Sequence, residues 1–257
     1  VTGPRLRDTR DGTMLLAAEG VQSAAGGVAG VAIPWLVLEH GGGPGSAAVI
    51  FAATIGPYAL IGIPAAMAAD HTSRRTMLTA SYALQALALT VIPIAAGLDS
   101  VTTPLLVTVA LIVGCARVVG DAAIFGAVPA LVGREGIVRA TGALTTTWSA
   151  GFLAGPAFGG AVIAAVGTTR TLAAVAACYA ISIALSRALG DAVEARPDTT
   201  ASSFERVQHG LRFLTRDRNM RRFTTVGLLW NLLSGAFGGI AVAFVHGPLA
   251  LTAGAAG

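Results

Sequence analysis

A chain of 257 residues that is 54% apolar and 12% charged, with a mean hydropathy of +0.72, lacks the polar surface needed to cover a water-soluble domain of its size. Its formal charge of +4 and pI near 9.8 do not mark a nucleic-acid binder, because the basic residues sit in short gaps between long uncharged runs rather than on one compact face. Every basic residue other than histidine is an arginine, and the lack of lysine excludes a Walker A nucleotide site and Schiff-base chemistry, and with them ATP-driven pumping by the chain itself.

The uncharged runs are 20–38, 41–69, 76–98, 100–116, 140–169, 171–186 and 223–257. Most reach or approach the ~20 residues that cross a ~30 Å hydrocarbon core. All arginines except Arg117 and Arg170 fall in four of the gaps: Arg5, Arg7 and Arg10; Arg74 and Arg75; Arg134 and Arg139; and the group from Arg187 to Arg222. Positive charge is retained on the cytoplasmic side. The pattern therefore predicts an all-α, multi-pass membrane protein with a cytoplasmic N-terminus (1–12), a six-helix bundle (13–190), a cytoplasmic linker (191–222) and a seventh crossing (223–257) that leads outside.

Helix 1 is predicted over 13–38, with Glu19 and Gln22 on its cytoplasmic half, and reads as a retained crossing rather than a signal peptide. Helix 2 (46–69) carries Pro57 and Pro64, and helix 3 covers 76–97. Helix 4 (101–128) contains Arg117 and Asp121, and helices 5 and 6 cover 140–166 and 170–189. Short outer turns such as 41–45 make neighbouring helices antiparallel. In the linker, Ser202 and Glu205 form an S-x-x-E capping box, and Phe204, Val207, Leu211 and Leu214 follow at helical spacing. Such a helix lies in the cytoplasmic interface with its arginines among headgroups, or else is a solvated linker.

Cys115 and Cys178 lie in apolar runs and read as small hydrophobes with no disulfide. His40, His71, His209 and His246 have no ligand-like spacing, so neither metal nor cofactor is expected. No clustered nucleophile, base and acid point to an enzyme.

Three places carry the candidate chemistry. In GFLAGPAFGG (151–160), Gly151, Gly155 and Gly159 recur every four residues and form a bare stripe that lets another helix approach to backbone contact, with Pro156 bending the helix beside it and Gly160 closing the segment. Ordinary membrane packing explains the stripe as well as a hinge does. In the turn ADHTSRRTML (69–78), Asp70, Arg74 and Arg75 could hold a helix junction shut through charge-assisted hydrogen bonds, or could serve only to anchor the chain by positive charge. Glu19, Arg117 and Asp121 are ionisable groups inside crossings, where charges are costly and face the bundle interior or water. Arg117 and Asp121 are four apart and can pair on one face. They read either as substrate- and proton-coupling groups, with Asp121 or Glu19 titrating, or as a neutralised structural pair with Glu19 extended to the membrane surface.

These motifs resemble the major facilitator superfamily, and within it the drug-proton antiporter branch that includes enterobactin-exporter-like and macrolide-efflux-like permeases. ADHTSRRTML is similar to the superfamily's conserved loop, with Asp70, Arg74 and Arg75 at matching positions. GFLAGPAFGG is similar to the antiporter motif of helix 5, and Arg117 to the basic residue of helix 4. IPWLVLEH (33–40) and RVQHGLRFLTRDRNMRR (206–222) also resemble this branch. The departures are Ala66, His71 and Ser73 in the loop, and Gly26-Gly27 where the branch has an acid shortly before IPWLV. The resemblance implies two six-helix halves with substrate passing between them, of which this chain would be the N-terminal portion. It further implies a permease of the plasma (cell inner) membrane that exports small amphipathic molecules by proton antiport and needs its C-terminal half or a partner chain. The alternative is a noncatalytic truncated or half-transporter subunit. Reporter fusions at the Arg74 turn and within 206–222 are expected to fall on the same side of the membrane, and opposite sides would overturn the whole arrangement.

Overall fold

The computed structural model describes residues 5–190, 193, 216–222, 224–227, 229, 233 and 244. The linker helix expected from Ser202 and most of the seventh crossing lie outside these. Among the described residues there is no strand. After a 3-10 turn, Leu6–Asp8, the helices are α1 (Arg10–Glu39), α2 (Pro44–Ile55), α3 (Pro57–His71), α4 (Arg74–Gly97), α5 (Thr103–Val166) and α6 (Thr168–Arg187).

Caps and breakers set these bounds. Thr9 accepts a hydrogen bond from the Gly12 N–H at 3.1 Å, so α1 starts three residues before the expected position. Ser73 does the same for Thr76 at 3.2 Å, which starts α4 at Arg74 and gives this departure from the family loop a structural role as N-cap. The expected helix 2 is two helices, because Pro57 has no N–H to continue the ladder through Gly56. Pro64, by contrast, stays inside α3. Left-handed Gly41 (φ 79°) and Gly167 (φ 86°) turn the chain between crossings, where any Cβ would be strained.

The main correction concerns 129–139, expected as a loop between helices 4 and 5. These residues are helical, and the run Thr103–Val166 is interrupted only at Gly133 (φ 62°, ψ 178°). A straight helix of 64 residues would be about 96 Å long, three times the ~30 Å core. It is folded back on itself instead. Arg117 and Trp148 both reach the carboxylate of Glu19, although 31 residues of straight helix would separate them by about 46 Å. Residues 103–132 and 134–166 are thus two antiparallel passes joined at one glycine, with Arg134 and Arg139 in the first turns of the second pass.

With α2 and α3 taken as one stretch and α5 as two, the described residues 5–190 form six helical segments. α1 is central, packed against both passes of α5 and against α6, while α4 joins α5 to α6. Leu15, Ala18, Ala32, Leu36 and Val37 of α1 are buried, as are Leu78, Tyr82 and Leu89 of α4. Leu60, Leu87 and Phe158 are exposed and suit acyl chains rather than water. Each described span of sufficient length is also apolar enough to cross a bilayer.

At the glycine stripe the second α5 pass and α1 approach to backbone contact. A Cβ on Gly155 would lie 2.6 Å from Gly27 Cα, one on Gly151 2.6 Å from Ser23 Cβ, and one on Gly159 3.2 Å from Val28 Cα. Helix α1 answers with its own glycine, since a Cβ on Gly27 would lie 2.7 Å from the Gly151 carbonyl oxygen. No side chain fits at Gly27, whereas at Gly26 beside it a Cβ would meet only Tyr179 Oη at 3.6 Å and Gln22 Nε2 at 4.0 Å. Gly155→Leu is expected to destabilise the bundle by about 3 kcal/mol through overpacking. Thermal unfolding in detergent should show the loss, with Gly142→Leu, whose Cβ meets nothing within 4 Å, as the silent control.

Candidate functional site

Glu19 is two and a half turns into α1 and 1% exposed. A carboxylate so placed needs donors from its neighbours, and three other passes provide them. The Tyr82 hydroxyl of α4 donates to Glu19 Oε1, and Trp148 Nε1 of the second α5 pass donates to Oε2 at 2.7 Å. Arg117 Nη2 of the first α5 pass stands 3.9 Å from the same oxygen. The helical four-residue spacing brings Asp121 Oδ1 to 2.8 Å from Arg117 Nε. Tyr58, just after the Pro57 break, donates to Asp121 Oδ2 at 2.5 Å.

A second, neutral chain of bonds continues from the guanidinium. Arg117 Nη1 donates to Gln22 Oε1, Gln22 Nε2 to Gln85 Oε1 at 3.4 Å, and Gln85 Nε2 to Ser81 Oγ at 3.1 Å. Ser81 closes the chain on the Ala116 carbonyl at 2.6 Å. Arg117 also lies over the Trp148 ring, 5.9 Å from its centre, and Phe125 meets that ring edge-on at 5.8 Å. The alternative in which Glu19 extends to the membrane surface is therefore not the observed arrangement.

A cavity of about 580 Å³ opens above this cluster. Its walls are mostly apolar, among them Ile33, Ile50, Phe51, Val113, Phe152 and Leu153, and its polar points are Gln22, Tyr58, Gln85, Arg117, Trp148 and Tyr179. Few, convergent polar groups on apolar walls are the usual form of a small-molecule site. Ser23 lines the same space with its buried hydroxyl unpaired. Two carboxylates around one guanidinium leave one excess negative charge, which a single proton or one cationic group balances. Among the described residues no cluster of His, Cys, Asp or Glu could hold a metal.

The structure thus brings Glu19, Arg117 and Asp121 together and keeps the 69–78 turn apart from them. From Arg74 to Tyr82 is about 12 Å along α4. Asp70 lies in the last turn of α3. Arg74 is buried against α5, where a Cβ on Gly126 would come 2.9 Å from its Nε. Arg75 Nη1 donates to the Leu189 carbonyl at 3.0 Å, satisfying an acceptor just beyond the end of α6. Gly151, Gly155, Pro156 and Gly159 seat the second α5 pass on α1 beside the site, and Gly160 is buried in the next position. At the opposite end of the bundle, Glu39 accepts from Trp35 Nε1 and Thr168 Oγ1, both at 2.9 Å, and fastens α1 to α6.

Sequence reasoning missed Tyr58, Tyr82, Gln85, Trp148 and Tyr179 as members of this site. Their only signal is a polar-tipped or amide side chain inside an otherwise apolar crossing, which does not reveal the shared target.

A family model described as transmembrane secretion effector, within the major facilitator superfamily, matches residues 13–247. The chain is 30% identical over 224 residues to the "Multidrug efflux pump Tap" of Mycobacterium tuberculosis (strain ATCC 25618 / H37Rv), covering 84% of this chain and 53% of that protein. The match to the protein of the same name from Mycobacterium bovis (strain BCG / Pasteur 1173P2) has the same extent. With that of Mycolicibacterium fortuitum it is 28% identical over 234 residues, covering 87% and 57%. The chain therefore spans about half the length of these relatives. No solved structure matches it significantly.

Arg117→Met leaves the buried Glu19 and the half-buried Asp121 carboxylates without their shared cation and is expected to cost about 3 kcal/mol. Adding Glu19→Gln and Asp121→Asn should recover most of that loss, as read from thermal unfolding in detergent.

Proposed function

Since the chain belongs to the transmembrane secretion effector family of the major facilitator superfamily, we propose that it forms one wall of an efflux permease that exports small amphipathic molecules by proton antiport. The observation that supports this reading most is the sharing of Arg117 between Glu19 and Asp121 at the edge of an apolar cavity. A proton entering one carboxylate removes the excess charge and frees the guanidinium from that partner. The substrate enters the same cavity when the carboxylate is unprotonated, so proton and substrate occupy it in turn. That exclusion is the elementary requirement of antiport.

In this reading a further six-helix bundle, on the same polypeptide or a partner chain, forms the facing wall, and alternating access is the rocking of the two around the cavity. The half-length overlap with the relatives agrees with that division. The arginine-bearing end, with Arg74 and Arg75, faces the cytoplasm of a plasma-membrane protein, by the charge bias of the loops. Asp70 with these two arginines steadies the closing end, and the Gly151–Gly160 segment is the surface on which α1 and α5 pivot. The chain acts as a transporter and not as an enzyme.

Everted vesicles from cells making the protein, given an imposed pH gradient, should release protons when an amphipathic dye is added. Glu19→Gln should lower that coupled flux at least tenfold while leaving dye-for-dye exchange in place. Equal coupled flux in the variant would remove Glu19 from the mechanism, and dye movement indifferent to the gradient would overturn antiport.

A further inference from the structure

A second cavity, of about 810 Å³, lies at the arginine-bearing end of the seam between α1 and the second pass of α5. Its mouth carries Arg5 and Arg7, from the segment preceding α1, and Arg139 of α5. Among the described residues that line it, none is acidic. Its floor is bare: Gly20 and Ala24 on α1 face Ala143, Ala150 and Ala154 on α5. Two threonines also line it, yet their hydroxyls are turned into their own helix, Thr146 bonding the Gly142 carbonyl at 2.8 Å and Thr147 that of Ala143 at 3.0 Å. The Thr147 methyl is left facing α1, where a Cβ on Gly20 would lie 3.5 Å from it.

The groove is therefore amphipathic along its length, with three cations at one end and a smooth apolar track beyond them. From Arg139 to Ala154 it runs about 22 Å along the helix axis, which exceeds the ~15 Å depth of one leaflet's hydrocarbon. It lies on the other side of the α1–α5 contact from the cavity above Glu19: Ala24 and Ala150 line the groove, while Gly26, Ser149 and Phe152 line the central cavity. The functional reading of that central cavity does not use it.

We propose that this groove is a binding site for one anionic phospholipid of the surrounding bilayer, with its phosphate among Arg5, Arg7 and Arg139 and an acyl chain along the alanine and glycine track. The charge complements an anionic headgroup, and the width left by residues without bulky side chains suits a hydrocarbon chain. A zwitterionic lipid brings an ammonium group that three guanidinium groups disfavour, and a free phosphate makes no use of the track. The bound lipid fills the space between the N-terminal segment and α5 and seats that segment on the bundle.

The test is binding of fluorescent phosphatidylglycerol to the purified protein in detergent micelles, with competition by unlabelled phosphatidylglycerol, phosphatidylcholine or glycerol phosphate. Unlabelled phosphatidylglycerol should displace the probe at least tenfold better than phosphatidylcholine, and millimolar glycerol phosphate should not displace it. Replacing Arg5, Arg7 and Arg139 together by glutamine should weaken binding about a hundredfold, each arginine supplying a factor of about five. Ala150→Phe, which obstructs the track with the arginines intact, should weaken it at least fivefold and remains informative if the triple variant fails to fold. Equal displacement by phosphatidylcholine, full displacement by glycerol phosphate, or unchanged binding in a folded variant of either kind overturns the proposal.

Discussion

A guanidinium group inside a bilayer cannot be left to itself, and the bundle is organised around meeting that demand at Arg117. Its partners come from every direction: Glu19 and Gln22 from α1, Asp121 from its own helix, and the face of Trp148 from the second α5 pass. Tyr58 and Tyr82 then join α3 and α4 to those carboxylates. One charge thereby draws five crossings, one of them at its proline break, into a single polar network. Because the hydrocarbon offers no competing hydrogen bonds, each of these links holds its helix in register as well as neutralising charge.

Such a network requires α1 and α5 to lie closer than side chains ordinarily allow, which is what the glycine stripe provides. Gly151, Gly155 and Gly159 against Ser23, Gly27 and Val28 leave almost no material between the two backbones. Trp148 reaches Glu19 as a result. No side chain has room at Gly27, and the buried acid of α1 is Glu19, two turns nearer the arginine-bearing end. Packing and chemistry are thus two aspects of the same crossing.

Much of this architecture is legible in the sequence because bilayers impose simple rules. Uncharged run length marked the apolar helices, and four-residue spacing gave both the Arg117–Asp121 pair and the glycine stripe. The rest needed three dimensions. Nothing local indicates that Gly133 alone reverses α5, since Arg134 and Arg139 look like loop residues until their backbone is seen to be helical. Tyr82 and Trp148 are single aromatic residues in apolar runs, and what makes them part of the site is a common target contributed by a different helix. The two arginines of the 69–78 turn looked alike in sequence, yet one is buried against Gly126 and the other satisfies the Leu189 carbonyl.

A connection of one residue has no contour length to spare. The two passes of α5 cannot slide past each other along the membrane normal, for Gly133 offers only its own two dihedral angles as freedom. They can splay or close like the arms of tweezers, with the glycine as the spring and Arg117 and Trp148 held partway along the opposing jaws. Any change in the angle between the arms is therefore felt most at the end of the bundle farthest from Gly133.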